Sequence, residues 1–579
     1  MFENIQQQIE KYAIELLGKD FKFREGQLDA IVQIINNTTN NIKHNMLEAP
    51  TGSGKSMIAL IAAYALYKMY DKKTYILVSD LSLFAQYEND IKKLNSICFG
   101  CLKGKENYVC WKNGCNVSQA TCSLKGISVG KMAKHSMSFA CKEKCQYIKD
   151  YTKAVHAPIT LMTYQLYFIQ RNYVEDILFN GKNKNFPARD LVICDECHKI
   201  CEICQSHFAP TINIKRPKWM NDLDKGCKLP PYEDHRYKIV NDILNSSTND
   251  DLVYHISCYE QYISRYVGAN EELRVFYKNK DKLSKTDRTL LYAGNKARQE
   301  HCKFDDMLSF ISEIGSSEYV TKSVSDNDIT INFIFDDIML KKYFHNKSNN
   351  ELLMSATIGN FNSYANIAGL DKQQSRAIVI PSTFDFSNSP IIYSTSNKMS
   401  YTEKDNSIKH IAQQVIDICN KHNTHRGIIQ TGSYAHAKTL MSYLPYDILQ
   451  RCLFYDGSES KKTILNDFLD RNCYSDDNSI LIGPTLIEGL NFPDDMCRFQ
   501  ICIKVPYACL GSEYVRKKME YVNGWYEYDV LNKLCQGIGR GIRHKNDWCK
   551  TYILDGCITN LISKLNKFNT LQGRFKKIA

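Results

Sequence analysis

The segment 49–56 reads Ala-Pro-Thr-Gly-Ser-Gly-Lys-Ser and follows a short apolar run. This pattern limits the fold strongly, because it is typical of a loop between a buried strand and a helix whose first backbone N–H groups surround phosphate. We expect Lys55 to reach the β- and γ-phosphates of a nucleotide. The general pattern has glycine at its first position, whereas this chain has Ala49. An ordinary glycine turn is the alternative interpretation.

A second motif favours phosphate binding. The apolar run 191–194 suits a buried parallel strand and is followed directly by Asp195 and Glu196. Such a strand would deliver both carboxylates to the C-terminal edge of the sheet. We expect Asp195, together with Ser56, to hold Mg²⁺, and Glu196 to orient or deprotonate the attacking water. The two motifs together predict an α/β fold that hydrolyses ATP.

Seven cysteines lie between these motifs, from Cys98 to Cys145. With this insertion the chain resembles superfamily 2 helicases, in particular the iron–sulfur branch typified by XPD and DinG. Further segments resemble motifs of that family and occur in the family's order, at 24–27, 353–357, 427–434, 483–489 and 536–543. The resemblance covers residues 23–555 and implies two motor domains with the nucleotide between them.

The resemblance also implies which residues form the ATP and Mg²⁺ site. The cofactor-binding residues would be Arg24, Gln27, Pro50, Thr51, Gly52, Ser53, Gly54, Lys55 and Ser56. The catalytic residues would be Lys55, Asp195, Glu196, His198, Gln536, Arg540 and Arg543.

Three of these assignments have alternatives. Two arginines three residues apart can place a guanidinium on the transferring γ-phosphate, and we interpret Arg543 as this finger and Arg540 as its partner. Both arginines would otherwise merely lie on a helix surface. In the family the position of His198 links the ATP site to the second motor domain, whereas a histidine elsewhere is more often an ordinary hydrogen-bonded polar residue.

The resemblance further implies a [4Fe–4S] cluster. Cys110 resembles the family's first cluster ligand and Cys145 the last, so that Cys122 and Cys141 form the middle pair. These spacings suit a cubane held by separated loops. Cys115 is the alternative to Cys122.

Two other interpretations of the insertion remain open. The pairs Cys98/Cys101 and Cys141/Cys145 have spacings typical of zinc knuckles, so the four thiols together could bind zinc. The thiols could also be buried without any metal.

A second group of cysteines also has a spacing that resembles that of a metal site. Its members are Cys194, Cys197, Cys201 and Cys204. The first two adjoin Asp195, and their recruitment by another metal would disturb the magnesium site. We therefore interpret the group as small buried thiols.

The motif order predicts the domain organisation. The first motor domain would comprise residues 1–97, 146–209 and 346–390, and the second residues 391–579. The iron–sulfur domain would be inserted at 98–145 and a mostly helical arch at 210–345. Apolar residues at helical spacing between 239 and 263 support the arch, although an extra bundle that only enlarges the first domain would show the same pattern.

Composition agrees with this organisation. The chain has 579 residues and a net charge of +11, from 74 basic and 63 acidic residues. A positive balance favours a polyanion partner, and lysines are frequent in the cysteine insertion. No transmembrane segment or signal peptide is visible, so 23 cysteines indicate a reducing, intracellular compartment, cytoplasmic or nuclear.

The sequence as a whole predicts an ATP-dependent DNA helicase. Movement from 5′ to 3′ on single-stranded DNA, and opening of forked duplex DNA, are taken from the resemblance. We expect a monomer without membrane contact, while the sequence does not indicate protein partners or the pathway. An RNA or RNA–DNA hybrid helicase is one alternative. A DNA-binding scaffold with a vestigial ATPase is another.

Overall fold

A computed structural model describes most of the chain. The described residues are 2–50, 52–125, 139–173, 186–227, 233–277, 280, 283–382, 386–400, 404–454, 461–471, 476–484, 492, 494–542, 547–567, 571 and 573–577.

Seven parallel strands form the first sheet, in the order β10-β1-β9-β5-β2-β4-β3. They are β1 His44–Glu48, β2 Thr74–Val78, β3 Phe99–Cys101, β4 Ile159–Thr163, β5 Leu191–Asp195, β9 Asn350–Ser355 and β10 Ser375–Val379. The helices in this part of the chain are α1 Phe2–Leu17, α2 Gln27–Thr39, α3 Lys55–Tyr70, α4 Leu81–Lys92, α5 Thr121–Leu124, α6 Phe139–Lys144, α7 Gln146–His156, α8 Tyr164–Phe168 and α9 Ile200–Phe208, of which α5 and α6 belong to the cysteine insertion.

Strand register gathers the predicted motifs at one edge of this sheet. Glu48, the last residue of β1, pairs with Ser355 of β9, and Asp195 of β5 pairs with Met354. The carboxyl ends of parallel strands are where α/β sheets bind ligands. The phosphate loop, the acidic box and the segment 353–357 therefore start from adjacent strands.

A buried cluster of one carboxylate and two histidines joins β1 to β9 at the opposite, amino-terminal ends of the strands. The Glu351 carboxylate lies 3.0 Å from Nδ1 of His44 and 2.9 Å from Nδ1 of His345. Nε2 of His345 also lies 2.8 Å from the Ala368 carbonyl oxygen, so both nitrogens of this ring face oxygen atoms. Burial alone would raise the pKa of Glu351, but the two histidines outweigh burial and hold the pKa below its ordinary value.

The arch region is mostly helical, as predicted. Its helices are α10 Lys218–Cys227, α11 Glu233–Asn245, α12 Asn249–Tyr277 and α13 Lys285–Ile314, followed by α14 Asp336–Tyr343 and α15 Phe361–Ala368. A small antiparallel sheet at the base of the arch, in the order β6-β8-β7, was not predicted from the sequence. Its strands are β6 Thr211–Asn213, β7 Val320–Val324 and β8 Asp328–Phe333.

The second sheet also has seven parallel strands, in the order β13-β14-β12-β15-β16-β11-β17. They are β11 Ile391–Tyr393, β12 Gly427–Gln430, β13 Cys452–Phe454, β14 Ile480–Gly483, β15 Phe499–Cys502, β16 Lys550–Ile553 and β17 Phe575–Lys577. Its helices are α16 Lys404–Lys421, α17 Tyr434–Met441, α18 Tyr446–Leu449, α19 Lys461–Asp470, α20 Glu513–Tyr521, α21 Trp525–Ile538 and α22 Ile562–Leu565.

One predicted boundary needs correction. The cysteine domain was predicted to start at residue 98, but β3 contains Cys101 and pairs with β4 of the first sheet. A cysteine behaves as a small apolar residue and fits such a strand. The insertion therefore begins after Cys101, and the other boundaries stay predictions. No helix within the described ranges is both long and apolar enough to span a membrane.

Candidate nucleotide site and cysteine insertion

The phosphate loop leads from β1 into α3. Gly52 and Gly54 have φ angles of 82° and 79°, a left-handed conformation that favours glycine. A Cβ atom on Gly54 would lie 2.6 Å from the Gln27 amide nitrogen, so the position has no room for a side chain. The Lys55 ammonium donates to the Ala49 carbonyl at 3.3 Å and spans the loop.

The segment 24–27 holds this loop from outside. The Gln27 side chain is buried, and its amide nitrogen donates to the Ser53 carbonyl at 2.7 Å. The Arg24 guanidinium donates to the Gly52 carbonyl, and the Arg24 backbone N–H donates to Gln27 Oε1 at 2.8 Å. The structure thus joins Arg24 and Gln27, two predicted cofactor-binding residues, to the phosphate loop.

Asp195 lies at the end of β5 and is 3% exposed. Its Oδ2 accepts from the Tyr87 hydroxyl at 2.8 Å, and its Oδ1 accepts from the Glu196 backbone N–H at 2.9 Å. Burial and the neighbouring Glu196 raise the pKa of Asp195 to about 6, while Lys55 opposes this rise. A carboxylate of this kind is stabilised by a cation beside it.

The donor set at this edge fits Mg²⁺. Mg²⁺ prefers oxygen ligands and takes only one or two from protein carboxylates. Asp195 supplies a carboxylate, and Ser56 supplies a hydroxyl in the first turn of α3.

Glu196 and His198 follow directly. Glu196 has a φ of 53°, a left-handed conformation that is uncommon outside glycine and concentrated at functional sites. Its Oε2 lies 3.2 Å from Nδ1 of His198. The same nitrogen lies 2.8 Å from the Ser355 hydroxyl, at the end of β9.

Through His198 the acidic box reaches the second motor domain. The Gln536 side-chain amide nitrogen, on α21, contacts Nε2 of His198. Since the amide donates, Nε2 accepts, and Nδ1 carries the ring proton toward Glu196 and Ser355. A second bridge runs beside it, because the Thr357 hydroxyl donates to the Asn532 side-chain oxygen at 3.0 Å.

The structure does not describe every predicted site residue. Thr51, Arg543 and residues 485–489 lie outside the described residues. Arg540 lies in the 3₁₀ turn Gly539–Gly541 directly after α21, and its side chain is not described. The finger assignment for Arg543 therefore stays a prediction.

The cysteine insertion brings several predicted ligands together. Burial raises the pKa of the Cys122 thiol, and Cys110 and Cys145 are near enough to raise it further. Cys141 and Cys145 are one helical turn apart, and the Cys145 N–H donates to the Cys141 carbonyl at 3.1 Å. Cys115 contributes its backbone carbonyl, which accepts from the Cys110 N–H at 2.7 Å.

The four cysteines of the possible zinc site, Cys98, Cys101, Cys141 and Cys145, do not all pack in one core. Cys98 and Cys101 pack against the core on the α1–α3 side of the first sheet, whereas Cys145 belongs to the core on the other side. Sulfur ligands around one zinc ion lie about 3.8 Å apart, given Zn–S bonds of about 2.3 Å. Within the described ranges, just one group of three potential ligands lies within 4.8 Å, and it is His44, His345 and Glu351.

The second cysteine group forms no metal site among the described residues. Cys194, Cys197 and Cys204 are buried, and Cys201 packs against the same core. Burial raises the pKa of each of these four thiols. Neutral thiols in an apolar core pack as small hydrophobic residues.

Sequence reasoning missed two side chains that contact this site. Tyr87 on α4 and Asn532 on α21 look like ordinary residues of amphipathic helices. No spacing pattern could have indicated that Tyr87 reaches Asp195, 108 positions away.

Comparisons with known proteins agree with this arrangement. The family model for the helicase C-terminal domain matches residues 415–567, and that for the type III restriction enzyme, res subunit, matches residues 20–215. ATP-dependent DNA helicase CHL1 of Debaryomyces hansenii is 27% identical over 128 residues, 18% of this chain and 16% of the relative. ATP-dependent DNA helicase DinG of Photobacterium profundum is 32% identical over 117 residues, 19% of this chain and 17% of the relative. The chain thus spans less than a fifth of these curated relatives.

Solved structures match over a much larger part. An XPD helicase superposes with a TM-score of 0.61 at 18% identity, covering 96% of this chain and all of that one. Xpd4 of S. tokodaii gives a TM-score of 0.58 at 13% identity with the same coverage. At these identities the likeness shows the fold, which comprises two RecA-like motor domains with parallel sheets. Together with the family models, it confirms the resemblance to superfamily 2 helicases of the XPD and DinG type.

Proposed function

We propose that the protein is an ATP-dependent DNA helicase that moves 5′ to 3′ on single-stranded DNA and opens forked duplexes. The observation that carries this proposal is the bridge from Glu196 through His198 to Gln536. It joins the residue expected to activate water to a helix of the other motor domain. A protein that only binds nucleotide needs no such connection.

Each residue of the cleft has its own role in ATP hydrolysis. Arg24 and Gln27 hold the loop whose N–H groups bind phosphate, and Lys55 neutralises the β- and γ-oxygens. Ser56 and Asp195 would hold Mg²⁺, which supplies charge neutralisation at the transferring phosphate. Glu196 orients the attacking water, and Arg543, with Arg540, stabilises the charge that develops on the γ-phosphate.

Loss of the γ-phosphate would be sensed through Glu196. Its contact with the His198 ring passes any displacement to Ser355 on one side and to Gln536 on the other. The hydrogen bond between Thr357 and Asn532 follows the same route. Hydrolysis would thereby change how the two motor domains contact each other, which is the requirement for stepping along a strand.

We assign Cys110, Cys122, Cys141 and Cys145 to a [4Fe–4S] cluster. The closeness of Cys122 to Cys110 and Cys145 supports this set over one with Cys115. The insertion also touches the arch: the Asn295 side chain donates to the Leu124 carbonyl at 3.3 Å, and Leu124 packs among apolar arch residues. A cluster that orders this insertion would keep it against the arch, where the strands separate.

The test compares ATP hydrolysis with single-stranded DNA and with RNA of the same sequence. Strong stimulation by DNA supports the proposal, whereas stimulation by RNA alone would indicate the RNA helicase. Hydrolysis that matches the Glu196→Gln variant under all conditions would indicate the scaffold. Unwinding of forks with only a 5′ or only a 3′ tail tests the direction of movement.

A further inference from the structure

Helix α4 lies behind the predicted magnesium ligands. It starts after Asp80, whose side chain accepts from the Ser82 and Leu83 backbone N–H groups. Tyr87 and Asp90 are three positions apart and therefore project from the same face of the helix. Tyr87 is fully buried, and Asp90 is partly buried.

Each of these two side chains contacts a different magnesium ligand. The Tyr87 hydroxyl donates to Oδ2 of Asp195 at 2.8 Å. The Asp90 carboxylate lies within reach of the Ser56 side chain. One helix face thus reaches both the phosphate loop and the acidic box.

We propose that α4 is the positioning element of the magnesium site, with Tyr87 orienting Asp195 and Asp90 orienting Ser56. This inference rests on the proposed function, because it concerns the same nucleotide site. Neither residue needs to contact nucleotide for this role. Both act through the ligands that they hold.

Counting lone pairs explains how the arrangement works. Each carboxylate oxygen has two lone pairs. In Asp195 the Glu196 N–H occupies one on Oδ1 and the Tyr87 hydroxyl one on Oδ2, so each oxygen keeps one for a cation. The carboxylate plane is fixed from both sides before a metal binds.

The same reasoning applies to Ser56. A serine hydroxyl has one proton and two lone pairs, and it rotates freely unless a partner fixes it. In the proposed arrangement the Ser56 hydroxyl donates to the Asp90 carboxylate beside it. The oxygen lone pairs then remain available on the other side, as a magnesium ligand requires.

The magnitude of the expected effect follows from other metal sites. Removal of a partner that orients a metal ligand typically costs about 10- to 100-fold in metal affinity. We expect Tyr87→Phe and Asp90→Ala each to weaken metal binding about 10-fold, because each removes one of the two side chains of α4 that orient the predicted ligands.

Binding of Mn²⁺ in place of Mg²⁺ gives a readout that does not depend on turnover. The full chain is mixed with a non-hydrolysable ATP analogue, and free Mn²⁺ is measured by electron paramagnetic resonance. The affinity for the analogue without metal is measured separately and should stay unchanged in both variants. A general folding defect would reduce both quantities together.

Two variants serve as matched controls. Tyr164→Phe removes a buried hydroxyl that donates to the backbone carbonyl of Asp195, at 3.0 Å, and does not touch its carboxylate. Asn89→Ala changes an exposed neighbour of Asp90 on the same helix. Both should bind Mn²⁺ like the parent.

The outcomes separate the inference from the proposed function. Parental Mn²⁺ affinity in both Tyr87→Phe and Asp90→Ala would overturn the positioning role while leaving the ATPase intact. A parent protein that binds no Mn²⁺ with the nucleotide analogue would overturn both. If Tyr87→Phe fails to fold, Asp90→Ala alone decides, because its side chain is only partly buried.

Discussion

In the nucleotide cleft, the predicted functional side chains follow β1, β5 and β9, three adjacent strands of a seven-stranded sheet. In the cysteine insertion, they lie on turns and on two short helices, α5 and α6, of four and six residues. Backbone pairing fixes the cleft before any nucleotide binds. Within its described residues, 102–125 and 139–145, the insertion has little regular structure, so we expect the geometry of its thiols to depend on what they bind.

The difference predicts how each region responds to the loss of one side chain. In the cleft a substitution should remove a chemical step and leave the structure intact. In the insertion a substitution should remove local order and leave the distant chemistry intact. The predictions below test this contrast, beginning with the largest expected effect.

Glu196→Gln should retain ATP binding and lose hydrolysis by a factor on the order of 10³, because the amide cannot take a proton from water. Arg543→Ala should lose turnover by a similar factor if it is the finger. Single-turnover hydrolysis and fluorescent nucleotide binding measure the two properties. Parental turnover in Arg543→Ala would transfer the finger role to Arg540.

Glu351→Gln tests the buried cluster of Glu351, His44 and His345, which lies at the opposite end of the first sheet from the nucleotide cleft. It removes the buried carboxylate that His44 and His345 both contact and should lower the unfolding free energy by about 3 kcal/mol. Because the pKa of Glu351 is depressed, its stabilising contribution is present above the ordinary glutamate range and is lost as the pH falls below it. Calorimetric melting between neutral and acidic pH should therefore show a smaller acid-induced loss in the variant than in the parent.

The control for that experiment is Glu313→Gln. Glu313 pairs with Lys342 at 2.8 Å but is 57% exposed, so its removal should cost less than about 1 kcal/mol. Equal destabilisation by the two substitutions would contradict the buried cluster.

Cys110→Ser should abolish duplex unwinding while ATP hydrolysis stimulated by single-stranded DNA falls less than about 10-fold. The reason is that the insertion loses a thiolate, whereas Lys55, Asp195 and Glu196 stand on a separate sheet edge. Limited proteolysis should show cleavage within the insertion alone. The exposed Cys509 provides the control Cys509→Ser, which should unwind like the parent.

Metal analysis sharpens the same prediction. Anaerobically purified protein should contain iron and acid-labile sulfide. Zinc without iron would instead favour the zinc site formed by Cys98, Cys101, Cys141 and Cys145. Loss of iron in Cys115→Ser but not in Cys122→Ser would move the second ligand to Cys115.

The contrast also explains what the sequence could predict. The motifs of the cleft are contiguous, because each occupies a strand end and the following turn, so their spacing reveals them. The apolar run 191–194 predicted a buried strand for the same reason, and β5 spans Leu191–Asp195. Burial on both faces gives such strands continuous apolar runs.

Contacts between distant segments could not be predicted in this way. Tyr87 meets Asp195, and His44 meets Glu351 across 307 positions, through packing that no local pattern encodes. The strand β3 was missed as part of the first sheet because Cys101 within it and Cys98 just before it suggested metal binding more strongly than strand structure. The sheet at the base of the arch was missed because β6 has only three residues.

The smallest expected effect concerns the bridge between the motor domains. Gln536→Ala removes the amide that donates to His198, a single hydrogen bond with a net value of about 1 kcal/mol, and should lower the stimulation of ATP hydrolysis by single-stranded DNA about 5-fold. Asn532→Ala, on the parallel bridge to Thr357, should act in the same direction.

Because the two bridges connect the same pair of motor domains, the double variant should lose more than the sum of the single free-energy changes if either bridge can partly replace the other. Steady-state hydrolysis with and without DNA measures this coupling. Strict additivity would mean that the bridges act independently, and unchanged stimulation in both single variants would remove the observation on which the proposed motor rests.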